Sequence, residues 1–145
     1  MTELTLAKAQ TIIDAGLKHA RAAKFNPLGI AVLDARGALI AFAVEDNSSL
    51  RRFEIAHGKA HGCLAMGIGG RSVDARVRER PHFGAALAHV FNGDFIPVPG
   101  GVLIRNTSGA IIGAVGVSGD TSDNDESAGV AGIQAAGFTA DAGKA

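Results

Sequence analysis

Cysteine occurs once in these 145 residues, proline four times, and tryptophan and tyrosine never. A single thiol permits no internal disulfide and no multi-cysteine zinc site. Seven Phe are the only aromatic residues of the Phe, Trp and Tyr class, so few rings exist on which nucleic-acid bases could stack. An excess of one charge is missing as well. Fourteen Lys plus Arg balance 14 Asp plus Glu, and no net field draws the chain to nucleic acid or an anionic lipid surface. Apolar runs are short and broken by Gly, Asp or Arg, none approaching the ~18 residues a membrane span requires. The opening "MTELTLAKAQ" has no basic stretch followed by an apolar one. These absences predict a soluble, cytoplasmic protein without nucleic-acid or membrane partners. The length predicts a single domain over 1–145, burying roughly two thirds of the surface its unfolded chain exposes.

What is present is glycine, 20 in all, among Ala, Val, Ile and Leu. Thr5 is a candidate N-cap, and Leu6, Ala9, Ile13, Gly16, Leu17 and Ala20 fall on one helical stripe, predicting a first helix that ends near Lys24. Leu28 to Leu33 and Ala38 to Val44, separated by "DARG", predict a β-hairpin. Ser48 or Ser49 is the expected cap of a second helix from Leu50 to Met66, stopped by "GIGG". A short polar helix follows in "SVDARVRER", and Pro81 suits the first turn of another that Asn92-Gly93 ends. "FIPVPGGVLIR", "NTSG" and "AIIGAVGVSG" read as strand, turn and strand. Ser122 with Asp125 resembles a capping box for a last helix, and "ADAGKA" looks like a frayed tail. The order lacks βαβ alternation, so the expected class is α+β with an antiparallel sheet of about five strands covered by helices.

"EIAHGKAHGC" carries the densest chemistry. At about 100° per residue, His57 and His61 lie about 40° apart, on a face shared with Leu50, Phe53, Ala60 and Leu64, while Cys63 projects elsewhere. The spacing allows two ligands to one metal, but Gly58 stands where zincin proteases carry a glutamate and no third ligand is identifiable, so no metal is expected. Both imidazoles are expected to face a small-molecule pocket beside the glycines of "VPGG", where missing Cβ atoms would bare backbone amides. Pro99, Gly100 and Gly101 are its candidate wall. His19, on the flank of the first helix, could reach a groove. Arg80 or His82, next to Pro81 and Phe83, could take a ligand carboxylate. "GAVGVSGDTSDNDE" matches neither a nucleotide-binding glycine loop nor a calcium loop, and its acidic residues read as helix caps.

"PVPGGVLI" followed by "GAIIGAVGVSGDTSDNDESAGVAG" resembles the GlcG/HbpS-like family, and similar domains close PduO-type cobalamin adenosyltransferases. "GIAVLDARGALIAF" matches the family's first hairpin, and "IAHGKAHG" stands where members carry a small-residue helix with a Lys-Ala step. The resemblance implies a profilin-like sheet, homo-oligomers from dimer to octamer, roles in haem handling or beside catabolic pathways, and haem as cofactor. His19, His57 or His61 would then serve the iron, Pro99, Gly100 and Gly101 the porphyrin, and Arg80 or His82 a propionate. The alternative is a small catabolic enzyme, an isomerase, hydratase or hydrolase, using His57 and His61 as general acid and base on a small carboxylate or carbonyl substrate. Self-association is expected through the small-residue face of "SAGVAGIQAAGF".

Overall fold

The computed structural model describes residues 3–145. Thr5 caps helix α1 (Leu6–Ala22), its hydroxyl accepting from the Lys8 amide at 3.1 Å. The hairpin follows as β1 (Gly29–Asp34) and β2 (Leu39–Val44), with the Asp34 carboxylate accepting from the Arg36 and Ala38 amides across the turn. Helix α2 (Arg52–Met66) ends at Gly67, whose φ of 71° is the left-handed cap that glycine adopts without strain. Then come α3 (Gly70–Glu79), α4 (Pro81–Val90), β3 (Gly101–Arg105), β4 (Ile111–Ser118), α5 (Ser122–Ala135) and β5 (Thr139–Asp141). The five strands form one antiparallel sheet in the order β2-β1-β4-β3-β5, the α+β architecture expected.

Alternation along the inner strands divides the core in two. Ile30, Val32, Val102, Ile104, Val115 and Val117 pack under α1 and α5 with Ile12 and Ile133. Leu33, Leu103 and Ala114 point the other way, beneath α2, against Ala60 and Cys63. Strands β1 and β4, each flanked on both sides and covered on both faces, are accordingly apolar at nearly every position. The approach of α2 is closer than large side chains would permit, since a Cβ on Gly116 would overlap the carbonyl oxygen of Ala56. No helix among the described residues is long and apolar enough to cross a membrane.

Four local expectations are corrected. Helix α2 begins at Arg52 with no side-chain cap: Ser49 instead accepts from the Arg52 guanidinium at 2.7 Å, and the Ser48 hydroxyl is buried without a partner. Its buried face is not the one holding Leu50, which is 87% exposed, but the small-residue stripe Ala56, Lys59, Ala60 and Cys63. The cap of α5 is Thr121, whose hydroxyl accepts from Asn124, one residue earlier than the Ser122/Asp125 capping box. The tail is no frayed end: Thr139–Asp141 pair with β3, Arg105 holds Asp141 at 2.9 Å, and Lys144 exchanges hydrogen bonds with Ser72. The small residues of α5 are also already occupied, because Ala128, Gly129, Gly132 and Ile133 are buried, with Gly132 against the backbone of Ile12 in α1.

Candidate functional site

Positions two apart on a helix point in nearly opposite directions, and α2 uses both. The expectation that His57 and His61 lie beside "VPGG", with Cys63 elsewhere, is reversed. Lys59 and Cys63 face that segment: a Cβ on Gly100 would stand 2.8 Å from the Lys59 Nζ, and one on Gly101 2.6 Å from the Cys63 Sγ. Pro99, Gly100 and Gly101 are buried, with Gly101 packed against Gly70 of α3 as well. Within the chain these glycines serve close packing of backbone on helix.

Lys59 carries a second surprise for an apolar stripe. Its ammonium donates to the Val117 carbonyl and to the Asp125 carboxylate, both at 2.9 Å, with the two side chains 4% and 2% exposed. Asp125 also accepts from the Asp120 amide. Burial pushes the Asp125 carboxyl above the usual carboxylate range, an effect the Lys59 charge partly offsets. This pair joins the α2 layer to the α5 layer around the end of the sheet. Cys63 lies in the same stripe, and burial raises its thiol to about 12, so it is no nucleophile.

The two histidines turn to the other flank of α2, where the connection after α4 folds back over the helix. Ile96 donates to the Gly58 carbonyl there, and the missing side chains of Gly58 and Gly62 leave room for Ile96 and Phe95. Asp94 is thereby set between the imidazoles. His57 Nδ1 lies 3.0 Å and 2.9 Å from the two Asp94 carboxylate oxygens; His61 Nδ1 lies 2.8 Å from the Asp94 carbonyl oxygen and 3.4 Å from its carboxylate. Carbonyl and carboxylate oxygens only accept, so both Nδ1 atoms are donors, and in the neutral ring each Nε2 keeps its lone pair. Among the described residues neither Nε2 has a hydrogen-bond partner, and neither is sealed from solvent, since Ser48 holds the one buried unpartnered side-chain N or O there. The half-buried rings stand nearly parallel, 15° apart with centroids at 6.3 Å.

They belong to a longer row. Phe42 meets Phe53 at 4.9 Å, Phe53 meets His57 at 5.5 Å, His61 meets Phe91 at 5.6 Å and Phe91 meets Phe95 at 5.4 Å. Four of the seven phenylalanines are thus gathered around two imidazoles. In the neutral rings the arrangement offers oriented Nε2 lone pairs in an aromatic, partly solvated surround, which suits ligation of iron or another soft-to-borderline metal centre.

The remaining candidates lie apart. His19 sits in the α1–α5 layer, across the sheet from α2, edge-on to Phe25, with its Nε2 3.2 Å from the Ser127 hydroxyl. That hydroxyl donates to the Asn124 carbonyl, so the His19 Nε2 carries the proton toward Ser127. Arg80 is exposed at the joint of α3 and α4, its guanidinium 5.1 Å from the Phe83 ring, and His82 is exposed beside it. No hydrogen bond, ion pair or ring contact among the described residues joins His19, Arg80 or His82 to the α2 pair. Asp94 is the site residue that sequence reading missed. Its only signal is a lone carboxylate in "FNGDF", after a turn able to send the chain back.

Residues 4–134 match the family model described as "Haem degrading protein HbpS-like". Among solved structures, the chain is similar to a PduOC:haem complex, with 21% identity and a TM-score of 0.80 over 91% of this chain and 94% of that one. It is similar to ORFY of Klebsiella pneumoniae, with 24% identity and a TM-score of 0.83 over 94% and 92%. HbpS follows with 23% identity and a TM-score of 0.79 over 92% and 90%. At such identities these structures establish a shared fold. No curated protein matches the chain. With the family's pattern running through nearly all of the sequence, from α1 into the last turn of α5, this chain belongs to the HbpS-like family.

Proposed function

We propose that this protein binds haem through the His57–His61 face of α2. The observation that carries the reading is the Asp94 anchor: both Nδ1 atoms are held, which leaves an Nε2 lone pair ready for iron. The family description and the haem complex of a structural relative support the same ligand. His19 is the weaker donor, because the group that holds its ring is the neutral Ser127 hydroxyl and not a carboxylate that would raise the imidazole's basicity. Bound haem would supply an iron centre. The chain's own part would be to orient the imidazoles, offer the rings of Phe53 and Phe91 as flanking apolar surface and keep the Asp94 carboxylate behind the ligating nitrogen.

An acid–base enzyme built on the same histidines has less support. The "VPGG" glycines it would need are buried, with Gly100 and Gly101 packed against Lys59, Cys63 and Gly70 of α3. Self-association belongs to the haem reading, since β2 is an unpaired edge carrying Leu39 and Val44 at 47% and 49% exposure. A cytoplasmic location belongs to it too, the one cysteine being buried and unpaired. Haemin titration tests the proposal: a sharp Soret band saturating at a fixed ratio is expected, and featureless, non-saturating absorbance would defeat it.

A further inference from the structure

We propose that His57 and His61, in the haem-free protein, chelate one divalent ion of the borderline transition metals, the class of Cu²⁺, Ni²⁺ and Zn²⁺. The inference does not depend on haem binding. It rests on three features of the pair.

The first is register and proton placement together. Histidines at i and i+4 share a helix face, the spacing that lets two imidazoles meet one metal. Surface histidines at this spacing usually rotate freely and lack a fixed tautomer. Here each Nδ1 is committed to Asp94, at 2.9–3.0 Å for His57 and 2.8 Å for His61, so each ring turns Nε2 away from Asp94.

Second, the rings are confined. Phe53 lies beyond His57 at 5.5 Å and Phe91 beyond His61 at 5.6 Å, so the imidazoles are hemmed at both ends of the row. With the rings nearly parallel and 6.3 Å apart, a tilt of the two Nε2 ends toward each other about the held Nδ1 ends would close the bite on an ion.

Third, the local charge is suited to a cation. Asp94 is 32% exposed and its ion-pair partners among the described residues are these two histidines alone, with no Lys or Arg. Its charge stands uncompensated while the imidazoles are neutral, and a dication on their Nε2 atoms would be the compensation. No group of three or more His, Cys, Asp or Glu is gathered to hold a metal among the described residues. The ion would therefore keep water in its remaining positions, open to exchange with a further ligand. Imidazole donors select the borderline metals over Mg²⁺ or Ca²⁺.

The experiment titrates the purified, haem-free chain with Cu²⁺ at neutral pH, followed by calorimetry and electron paramagnetic resonance. One ion per chain with the spectral splitting of two equivalent imidazole nitrogens is expected. His57→Gln and His61→Gln should each remove the two-nitrogen spectrum, Asp94→Asn should weaken binding roughly 10- to 100-fold, and His89→Gln, an exposed histidine on α4, should change nothing. A spectrum with one nitrogen or none in the wild-type protein overturns the proposal, whatever the variants' folding. So does a two-nitrogen spectrum that survives both His57→Gln and His61→Gln. Haemin binding without Cu²⁺ binding would defeat this inference alone, and the reverse would defeat only the haem reading.

Discussion

Lys59 and Asp125 show how a charge is tolerated inside small-residue packing. Each would be costly alone, and each is hydrogen-bonded to backbone as well as to the other. Asp125→Ala should therefore cost about 3–5 kcal/mol, because it leaves a buried ammonium without its counter-charge. The Lys59→Met/Asp125→Leu double variant should lose distinctly less than the sum of the single replacements. Urea unfolding of the wild type, Lys59→Met, Asp125→Leu and the double variant decides this, and strictly additive losses would refute the coupling. Cys63 gives a second residue-scale test. With its thiol raised to about 12 and its surface covered, it should not react with an aromatic disulfide reagent at pH 8 until the protein is unfolded. Prompt labelling of one thiol in the native protein would contradict the packing described. Asp94 makes the opposite use of a carboxylate, half-exposed and spent on orienting two imidazoles.

Among the elements, α2 decides what the molecule can do. One flank carries the small Ala56, Ala60 and Cys63, with Lys59 buried among them, so that the helix can lie close on β1, β4 and β3; the other carries the imidazoles. Gly116→Ala should separate helix from sheet, since its new methyl meets the Ala56 carbonyl and neither backbone can yield cheaply. Overpacking of this kind costs typically 1–3 kcal/mol, or about that and more at a backbone contact, and an unchanged thermal midpoint would argue against the tight α2–β4 approach. The hairpin, the glycine stop after Met66 and the proline start of α4 were all legible in the sequence, because each rests on a local rule of turn or cap. The face of α2 was not. Counting large apolar residues placed the core on the side of Leu50 and Phe53, whereas close packing selected the side with the least volume. Nor could local reading find β5, which is three residues long and owes its place to pairing with β3 and to the Arg105–Asp141 bridge.

At the scale of the whole molecule, the sheet keeps two chemistries apart. His19 and Ser127 lie in the α1–α5 layer, and the row from Phe42 through His57 and His61 to Phe95 lies along the α2 side. Sequence reading singled out His57 and His61 from their spacing but put the wrong neighbours beside them. Asp94 lies 33 residues from His61 in the chain, and only the return of the chain after α4 brings the two together. The central claim is that haem binds on this face by a nitrogen that Asp94 orients. Its most direct test is haemin titration of four proteins, wild type, His19→Gln, His57→Gln and the His57→Gln/His61→Gln double variant, each checked for native circular dichroism and followed through the Soret band. The account predicts a stoichiometric band in the wild type and in His19→Gln, and its loss in the folded double variant. An unaltered band in the double variant, or its loss in His19→Gln alone, would contradict it.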